Sequence, residues 1–239
     1  MVRLSVIIPC FNEEDNVKRF DKELMPVLES LKVPFEVVLV DDGSRDGTLK
    51  EARLLAKRDK RFKVVVHPQN LGLGAGLKTG IANASGELAV ALDSDLTFHP
   101  KEIPRLLERF NAGDVDCVIG SHFKSGGKLE KVPFYRVFLS KGVNILYCIL
   151  LGRKISTVSA IFRLYRTEQL KELDLRSNKF DICAEILFKL IKNKRRIAEV
   201  PVTLTTRIHG VSKLNNFQEA KNHLKLLFRI LLWRLGIKK

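Results

Sequence analysis

The sequence predicts an α/β fold: a mostly parallel sheet with helices on both faces. Three observations lead to it. Five short runs dominated by β-branched and other apolar residues recur within the first 120 residues. Stretches of helical pattern separate them, the alternation that a parallel sheet requires. The least ordinary residues sit just after those runs, and open parallel sheets collect ligands at the carboxyl ends of their strands.

The first strand, "LSVIIP" (4–9), runs into "PCFNEEDN" and a helical pattern over 15–31. The second, "FEVVLV" (35–40), leads to "DDGSRDGT" and a helix over 46–59. A buried strand ending in adjacent carboxylates suits a nucleoside, because an acid accepts from ribose hydroxyls or base N–H groups. The same residues are good turn chemistry, with Asp46 placed to cap the next helix. The two uses are compatible, Asp42 being the recogniser and Ser44–Asp46 the scaffold. The third strand, "FKVVVH" (62–67), precedes "PQNLGLGAG" and a helix over 74–84. That glycine run follows the third strand, not the first, and has no lysine at a Walker position. It is read as permitting close helix–sheet packing near the ligand.

The fourth strand, "ELAVAL" (87–92), ends in Asp93-Ser94-Asp95; a helix over 101–110 and the fifth strand, "VDCVIG" (115–120), follow. Two carboxylates one residue apart repel each other unless a cation or hydrogen-bond donors relieve them. An Asx turn is one answer. The other is Mg²⁺ or Mn²⁺, which takes oxygen ligands and leaves positions for waters and substrate phosphates. A diphosphate leaving group needs such a cation, because negative charge builds on it as the bond to the sugar breaks.

Charge divides the chain. Residues 1–120 carry 17 basic and 19 acidic side chains, residues 121–239 carry 25 and 8, and the whole has a net charge of +15. The second half therefore expects an anion: nucleic acid, nucleotide phosphates or an anionic membrane. Nucleic acid is set aside, since the basic residues lack interleaved aromatic stacking positions and no binding module is recognisable. Cys10, Cys117, Cys148 and Cys183 form no metal spacing and read as reduced, structural residues of an intracellular chain. No leader-like segment precedes the first strand at about Leu4. The closest approach to a spanning segment, "VNILYCILLG" (143–152), falls well below the roughly 18 apolar residues required. The chain is expected to be soluble or peripheral.

The later elements are an apolar segment with spaced basic residues (132–151), a short strand "IFRLY" (161–165), and a helix near 180–193. A strand over 195–206 precedes "RIHGVSKL" and a terminal helix over roughly 216–235. On a helical wheel Phe217, Leu224, Leu227, Phe228, Leu231 and Leu235 share one face, expected to pack on the domain. Leu226, Ile230 and Trp233 form a second stripe, with Lys221, Lys225 and Arg229 between the two. Such a helix suits docking to a protein core and an anionic bilayer at once, or complete burial. The segment 138–151 is a candidate second interfacial helix.

"IIPCFNEEDN", "VDDGSRDGT", "LDSDL", "FRLYR", "EVP" and "RIHGVSKL", in this order over residues 3–215, resemble the family 2 glycosyltransferases with the Rossmann-like GT-A fold. Within them the chain is most similar to the dolichol-phosphate (polyprenyl-phosphate) mannose synthases. The resemblance implies a domain over 1–215, with a nucleotide-sugar half (1–120) and an acceptor half (121–215), followed by an amphipathic helix over 216–239. It places Pro9, Phe11, Glu13, Val40 and Asp42 at the base and ribose. Asp93, Ser94 and Asp95 fall at the metal and diphosphate, with Thr97 as a poorer ligand where the family often has Gln or Ser. Arg207 and Lys213 match the basic pair on the diphosphate, and Arg136 and Ser140 the positions that hold the acceptor phosphate.

The implied reaction is inverting transfer of a hexose to dolichyl or another polyprenyl phosphate. GDP-mannose is the leading donor and UDP-glucose the alternative, "FDICAEILF" and the tail resembling the dolichyl-phosphate glucosyltransferases as well. A lipid phosphate is already an anionic nucleophile, so no general base is required, and positioning with charge neutralisation can suffice. Asp95 and Arg136 carry that chemistry. The implied setting is the cytoplasmic face of a membrane, with or without a membrane partner subunit. The chain departs from the family pattern at His122, where an arginine is usual, and at Thr157 and Ala160 ahead of "FR". These departures bear on the sugar, not the fold.

Overall fold

The continuous β-branched runs form the expected strands, since a strand covered on both faces gains nothing from polar alternation. The computed structural model describes residues 3–129, 134–208 and 216–237. β1 (Leu4–Cys10), β2 (Phe35–Asp41), β3 (Phe62–Val66) and β4 (Leu88–Ala91) pair in parallel. β5 (Cys117–Ser121) is followed by a two-residue strand, β6 (Lys128–Leu129). β7 (Arg163–Arg166) then runs antiparallel between β4 and β5, and β8 (Ile197–Pro201) is parallel to β5. The sheet order is β3-β2-β1-β4-β7-β5-β8, so the carboxyl ends of β2, β1 and β4 lie side by side.

Three expectations change. The single strand over 195–206 divides after Pro201, which has no N–H to give a ladder. The chain leaves the main sheet there, and β9 (Thr203–Leu204) pairs with β6 in a second, two-stranded sheet. The helix over 15–31 is three short ones: α1 (Glu14–Val17), α2 (Phe20–Glu23) and α3 (Met25–Ser30). Pro26 opens α3 because its missing N–H is tolerated only in a first turn. The remaining helices of the first half are α4 (Thr48–Arg58), α5 (Leu73–Asn83) and, after a 3-10 turn, α6 (Ile103–Asn111). The second half adds α7 (Phe134–Leu151), α8 (Thr167–Lys171), α9 (Ile182–Lys192) and α10 (Asn216–Arg234).

The third change concerns α10. Leu226 and Ile230 are 1% and 0% exposed, whereas Leu224, Phe228 and Leu235 are 65%, 59% and 64% exposed, the reverse of the faces expected. Polar anchors set the rotation. Arg229 donates to Glu185 at 2.9 Å, a carboxylate of α9 with no exposure at all, and Tyr147 Oη of α7 meets His223 Nδ1 at 2.8 Å. A buried carboxylate without its cation is costlier than an exposed leucine stripe, so the charge turns the helix. Phe217 lies outside the residues whose side chains are described. Among the described residues no helix is long and apolar enough to cross a membrane.

Alternation along β1 divides the core. Leu4, Val6 and Ile8 face a cluster with Phe20, Leu28 and Leu106 on one side of the sheet. Ile7 faces the other, where Leu77 and Ile81 of α5 join Tyr147, Ile186, Leu226 and Ile230. α5 approaches β1 closely enough that a Cβ on Gly80 would lie 2.2 Å from Ile7 Cγ2. Gly80→Ala is therefore expected to destabilise the fold by about 1–3 kcal/mol, as read from a denaturant melt; an unchanged midpoint would show that α5 can shift freely.

Candidate active site

A cavity of about 320 Å³ opens at the carboxyl ends of β1, β2 and β4. Pro9, Phe11, Asp42, Asn70, Gly72 and Leu73 line one end, and Glu13, Asp93, Ser94 and Arg207 the other. Lys179, Phe180, Gln218 and Glu219 close the far side. Larger depressions, of about 490 Å³ between α9 and α10 and about 940 Å³ near Arg3 and Glu168, gather none of the candidate donor, acceptor or metal residues.

The loops after β1 and β2 hold each other. Asn12, at φ +53°, donates its N–H to Ser44 Oγ at 2.9 Å and accepts from the Arg45 N–H at 2.8 Å. The Glu13 N–H bonds Thr48 Oγ1 at 2.7 Å, and Asp46 accepts from the Thr48 N–H at 3.0 Å, although the N-cap of α4 is Gly47 and not Asp46. Asp42 accepts from the N–H groups of Leu71 and Gly72, at 2.9 and 2.8 Å, and so fastens the glycine run over the end of β2. Gly72 is required there: its φ is +104°, and a Cβ would lie 2.4 Å from the Asn178 carbonyl oxygen.

At the acidic end Arg207 bridges two carboxylates. Its Nε donates to Asp95 Oδ2 at 2.8 Å and its Nη1 lies 3.4 Å from Glu13 Oε1. The other oxygen, Asp95 Oδ1, accepts from the Thr97 N–H and hydroxyl at 3.0 and 2.9 Å. Thr97, the poorer of the expected metal ligands, thus braces Asp95. Asp93 feels the crowding most. Burial first, then the charges of Asp95 and Glu13, push its carboxyl up to about 8 against the pull of Arg207. Asp93 and Asp95, the latter now held by Arg207, supply oxygen ligands of the kind a divalent cation takes. Among the described residues no group of three or more His, Cys, Asp or Glu side chains forms a complete metal site.

Pro9, Phe11, Glu13, Asp42, Asp93, Ser94 and Arg207 are thus brought to one cavity, with Asp95 joined to it through Arg207. Val40 is fully buried in the sheet and lies off the cavity wall. Ser140, partly exposed on α7, does not line it either. Lys213 and the side chain of Arg136 lie outside the described residues. Sequence reasoning missed Asn70, Lys179, Phe180, Gln218 and Glu219. Only the glycine run signalled Asn70, and the others arrive through long-range packing without a local pattern.

His122 replaces an expected fixed charge with a neutral ring. It packs against Phe98 and Phe123, with centroids 5.9 and 4.2 Å away, and burial lowers its pKa to about 4. Its Nδ1 is buried without a hydrogen-bond partner among the described residues. No cation faces the cavity from this position.

Residues 5–174 match the family model described as Glycosyl transferase family 2. A Pyrococcus furiosus protein named dolichol-phosphate mannosyltransferase is 34% identical over 97% of the chain, which spans 64% of that protein's length. A polyprenol monophosphomannose synthase of Mycolicibacterium smegmatis is 33% identical over 97% of the chain and 86% of its own. Among solved structures, glucosyl-3-phosphoglycerate synthase of Mycobacterium tuberculosis with Mn²⁺, UDP and glucosyl-3-phosphoglycerate superposes with a TM-score of 0.72. It is 22% identical, covering all of this chain and 81% of that one, a likeness of fold. The fold is therefore GT-A-like.

The folded-state value of His122 lies below its unfolded value, so the unfolded chain takes up the proton first. Its contribution to stability is complete above about pH 6.5 and is lost as pH falls toward 4, by about 2–3 kcal/mol. His122→Phe should lose less stability than wild type over that window in denaturant melts; parallel acid slopes would place the ring in solvent.

Proposed function

The chain belongs to glycosyl transferase family 2, and from that premise we propose that it transfers a hexose from a nucleoside diphosphate sugar to a polyprenyl phosphate. The observation that carries this is the meeting of Asp93 and Arg207, with Asp95 held by Arg207, in a cavity that Asp42 also lines. The names of the two relatives favour this acceptor, with mannose as the hexose and GDP-mannose as the leading donor.

Asp93 and Asp95 would hold Mg²⁺ or Mn²⁺, which when bound neutralises the charge that builds on the departing diphosphate. The structural relatives bind those ions together with UDP. Arg207, now on Asp95, lies within reach of the same phosphates and offers a planar fork of donors to them. Thr97 keeps Asp95 aimed while that exchange occurs. Ser94 and Glu13 stand beside the diphosphate, and Pro9, Phe11 and Asp42 hold the nucleoside. Lys213 joins Arg207 on the donor diphosphate, and Arg136 and Ser140 hold the acceptor phosphate. The acceptor phosphate needs no base, and a single displacement inverts the anomeric carbon.

The protein works at the cytoplasmic face of a membrane in this reading. α10 supports it: Leu224, Phe228, Leu231 and Leu235 stay exposed beside the exposed Lys221 and Lys225, an apolar face with basic flanks. α7 adds Ile145, Leu146 and Ile149, all more than half exposed.

Two measurements test the reading. Asp95→Asn should lower kcat/KM at least a hundredfold with donor, Mn²⁺ and a short polyprenyl phosphate, a loss of about 2.7 kcal/mol or more, at an unchanged melting temperature. Retention of near-wild-type rate removes Asp95 from the chemistry. Replacing Leu224, Phe228 and Leu231 by serine should weaken sedimentation with anionic vesicles at least tenfold, since each apolar side chain contributes about 1.5–3 kcal/mol when buried. Undiminished vesicle binding refutes the membrane-facing role of α10.

A further inference from the structure

The depression between α9 and α10, of about 490 Å³, combines two chemistries in one place. Arg176, Lys189, Lys192 and Arg229 bring four cations to its wall, and Asp174 brings one acid. Lys189 and Arg229 share a single oxygen, Glu185 Oε1, at 3.2 and 2.9 Å. One carboxylate cannot neutralise two cations, so positive charge is left over there. Arg176 meets Asp174 at 3.0 Å, but the two side chains are 64% and 75% exposed, where a pair holds weakly. Lys192 is exposed and forms no ion pair among the described residues. The rest of the lining is apolar. Trp233 stands edge-on to the buried Phe188, with ring centroids 5.3 Å apart, and Leu232 and the half-exposed Ile237 join them. Leu232 comes four residues after Phe228 and three before Leu235, so the mouth of the depression meets the exposed apolar stripe of α10.

We propose that this depression binds the headgroup of an anionic phospholipid, with the phosphate on Arg176, Lys192 and Arg229 and the first acyl methylenes against Leu232 and Trp233; this rests on the reading above that α10 faces a membrane. A small free anion would use the cations and leave the aromatic and aliphatic lining idle. A neutral lipid would do the reverse. Only an amphiphile with an acidic head satisfies both, and basic pockets between helices at the membrane surface suit such headgroups. Tryptophan favours the same depth, where one side of the ring is apolar and the other wet. The site is separate from the donor cavity: thirteen residues of helix, roughly 20 Å, divide Glu219 on that cavity's wall from Leu232. It also differs from a basic flank that merely attracts a charged surface, because a pocket takes one lipid and saturates. A phosphate here would clamp α9 to α10 from outside, as Glu185 does from within.

Trp233 is the chain's only tryptophan, so its fluorescence reports on this site. Titration of the full chain with dihexanoyl phosphatidylglycerol, below its micelle-forming concentration, should change that emission saturably. Dihexanoyl phosphatidylcholine should bind at least tenfold more weakly. Arg176→Gln combined with Lys192→Gln should weaken the anionic lipid at least tenfold at an unchanged melting temperature. Lys57→Gln with Lys60→Gln makes the same charge change at exposed positions by α4, which packs on the opposite face of the sheet, and should weaken it less than twofold. Equal affinity for the two headgroups overturns the proposal, as does equal loss from the two variant pairs. Inorganic phosphate binding as tightly as the lipid overturns it in favour of a free anion. Phosphatidylglycerol vesicles that sediment the protein while Trp233 emission stays fixed overturn it too, and leave the membrane-facing role of α10 standing. A short-chain lipid that binds a protein no vesicle sediments upholds the site and sinks the membrane reading instead.

Discussion

Everything in the cavity follows from an excess of carboxylates gathered where three parallel strands end. Glu13 comes from the loop after β1, Asp93 and Asp95 from the tip of β4, and the strand order makes those tips neighbours. Two unit charges about 4 Å apart repel by roughly 4 kcal/mol at the effective dielectric of a protein surface. One guanidinium, Arg207, arrives from more than a hundred residues further along the chain to relieve this. It leaves Asp93 with its proton affinity raised. Crowded carboxylates of this kind favour a small cation with its own phosphate ligands.

The positive half of the chain does not simply form a wall opposite. Among the described residues, Arg207 and Lys179 are the cations that line the cavity. Others are committed elsewhere. Arg229 and Lys189 meet on Glu185, the fully buried carboxylate of α9. Burial works to raise that carboxyl, but the Ser177 N–H, Lys189 and Arg229 outweigh it and hold the group below its ordinary value. Arg163, with no exposed surface, donates to the carbonyls of Val158 and Cys183 at 2.7 Å. A net charge counted along a sequence therefore overstates the field at a site, because a buried cation is consumed by the structure that buries it.

The strands were legible because burial on both faces writes itself into consecutive residues, and the loops because turn chemistry and acidic pairs are local. Asp46 on Thr48 needed nothing beyond its neighbours in sequence, whereas Asp42 meets the glycine run some thirty residues on, a pairing no local pattern marks. The breaks in the first helical segment were less so: Pro26 announced one, but the interruption near Lys18 carries no marker. β6 and β9, two residues each, gain meaning only from each other. The rotation of α10 could not be read from its leucines, since it is decided by Arg229 seeking a carboxylate 44 residues away. Lys179 and Phe180 joined the cavity for the same kind of reason: the Asn178 carbonyl accepts from the N–H groups of Gly74 and Ala75 at the start of α5, which brings that segment to the glycine run.

That last contact ties the two ends of the molecule together. Glu185 Oε2 accepts from the N–H groups of Arg176 and Ser177, so the segment that caps α5 is anchored to the residue that orients α10. α10 returns the connection at its own start, where Gln218 and Glu219 form part of the cavity wall. A single helix therefore borders the cavity with its first turn, buries Leu226 and Ile230 along its middle, and leaves Leu224, Phe228 and Leu235 outside. For transfer to a lipid-borne phosphate this is an economical arrangement. On the proposed reading, the surface that would meet the membrane and the wall that would shape the donor belong to one helix, held in register by a buried charge, so an acceptor delivered along it would arrive beside the donor.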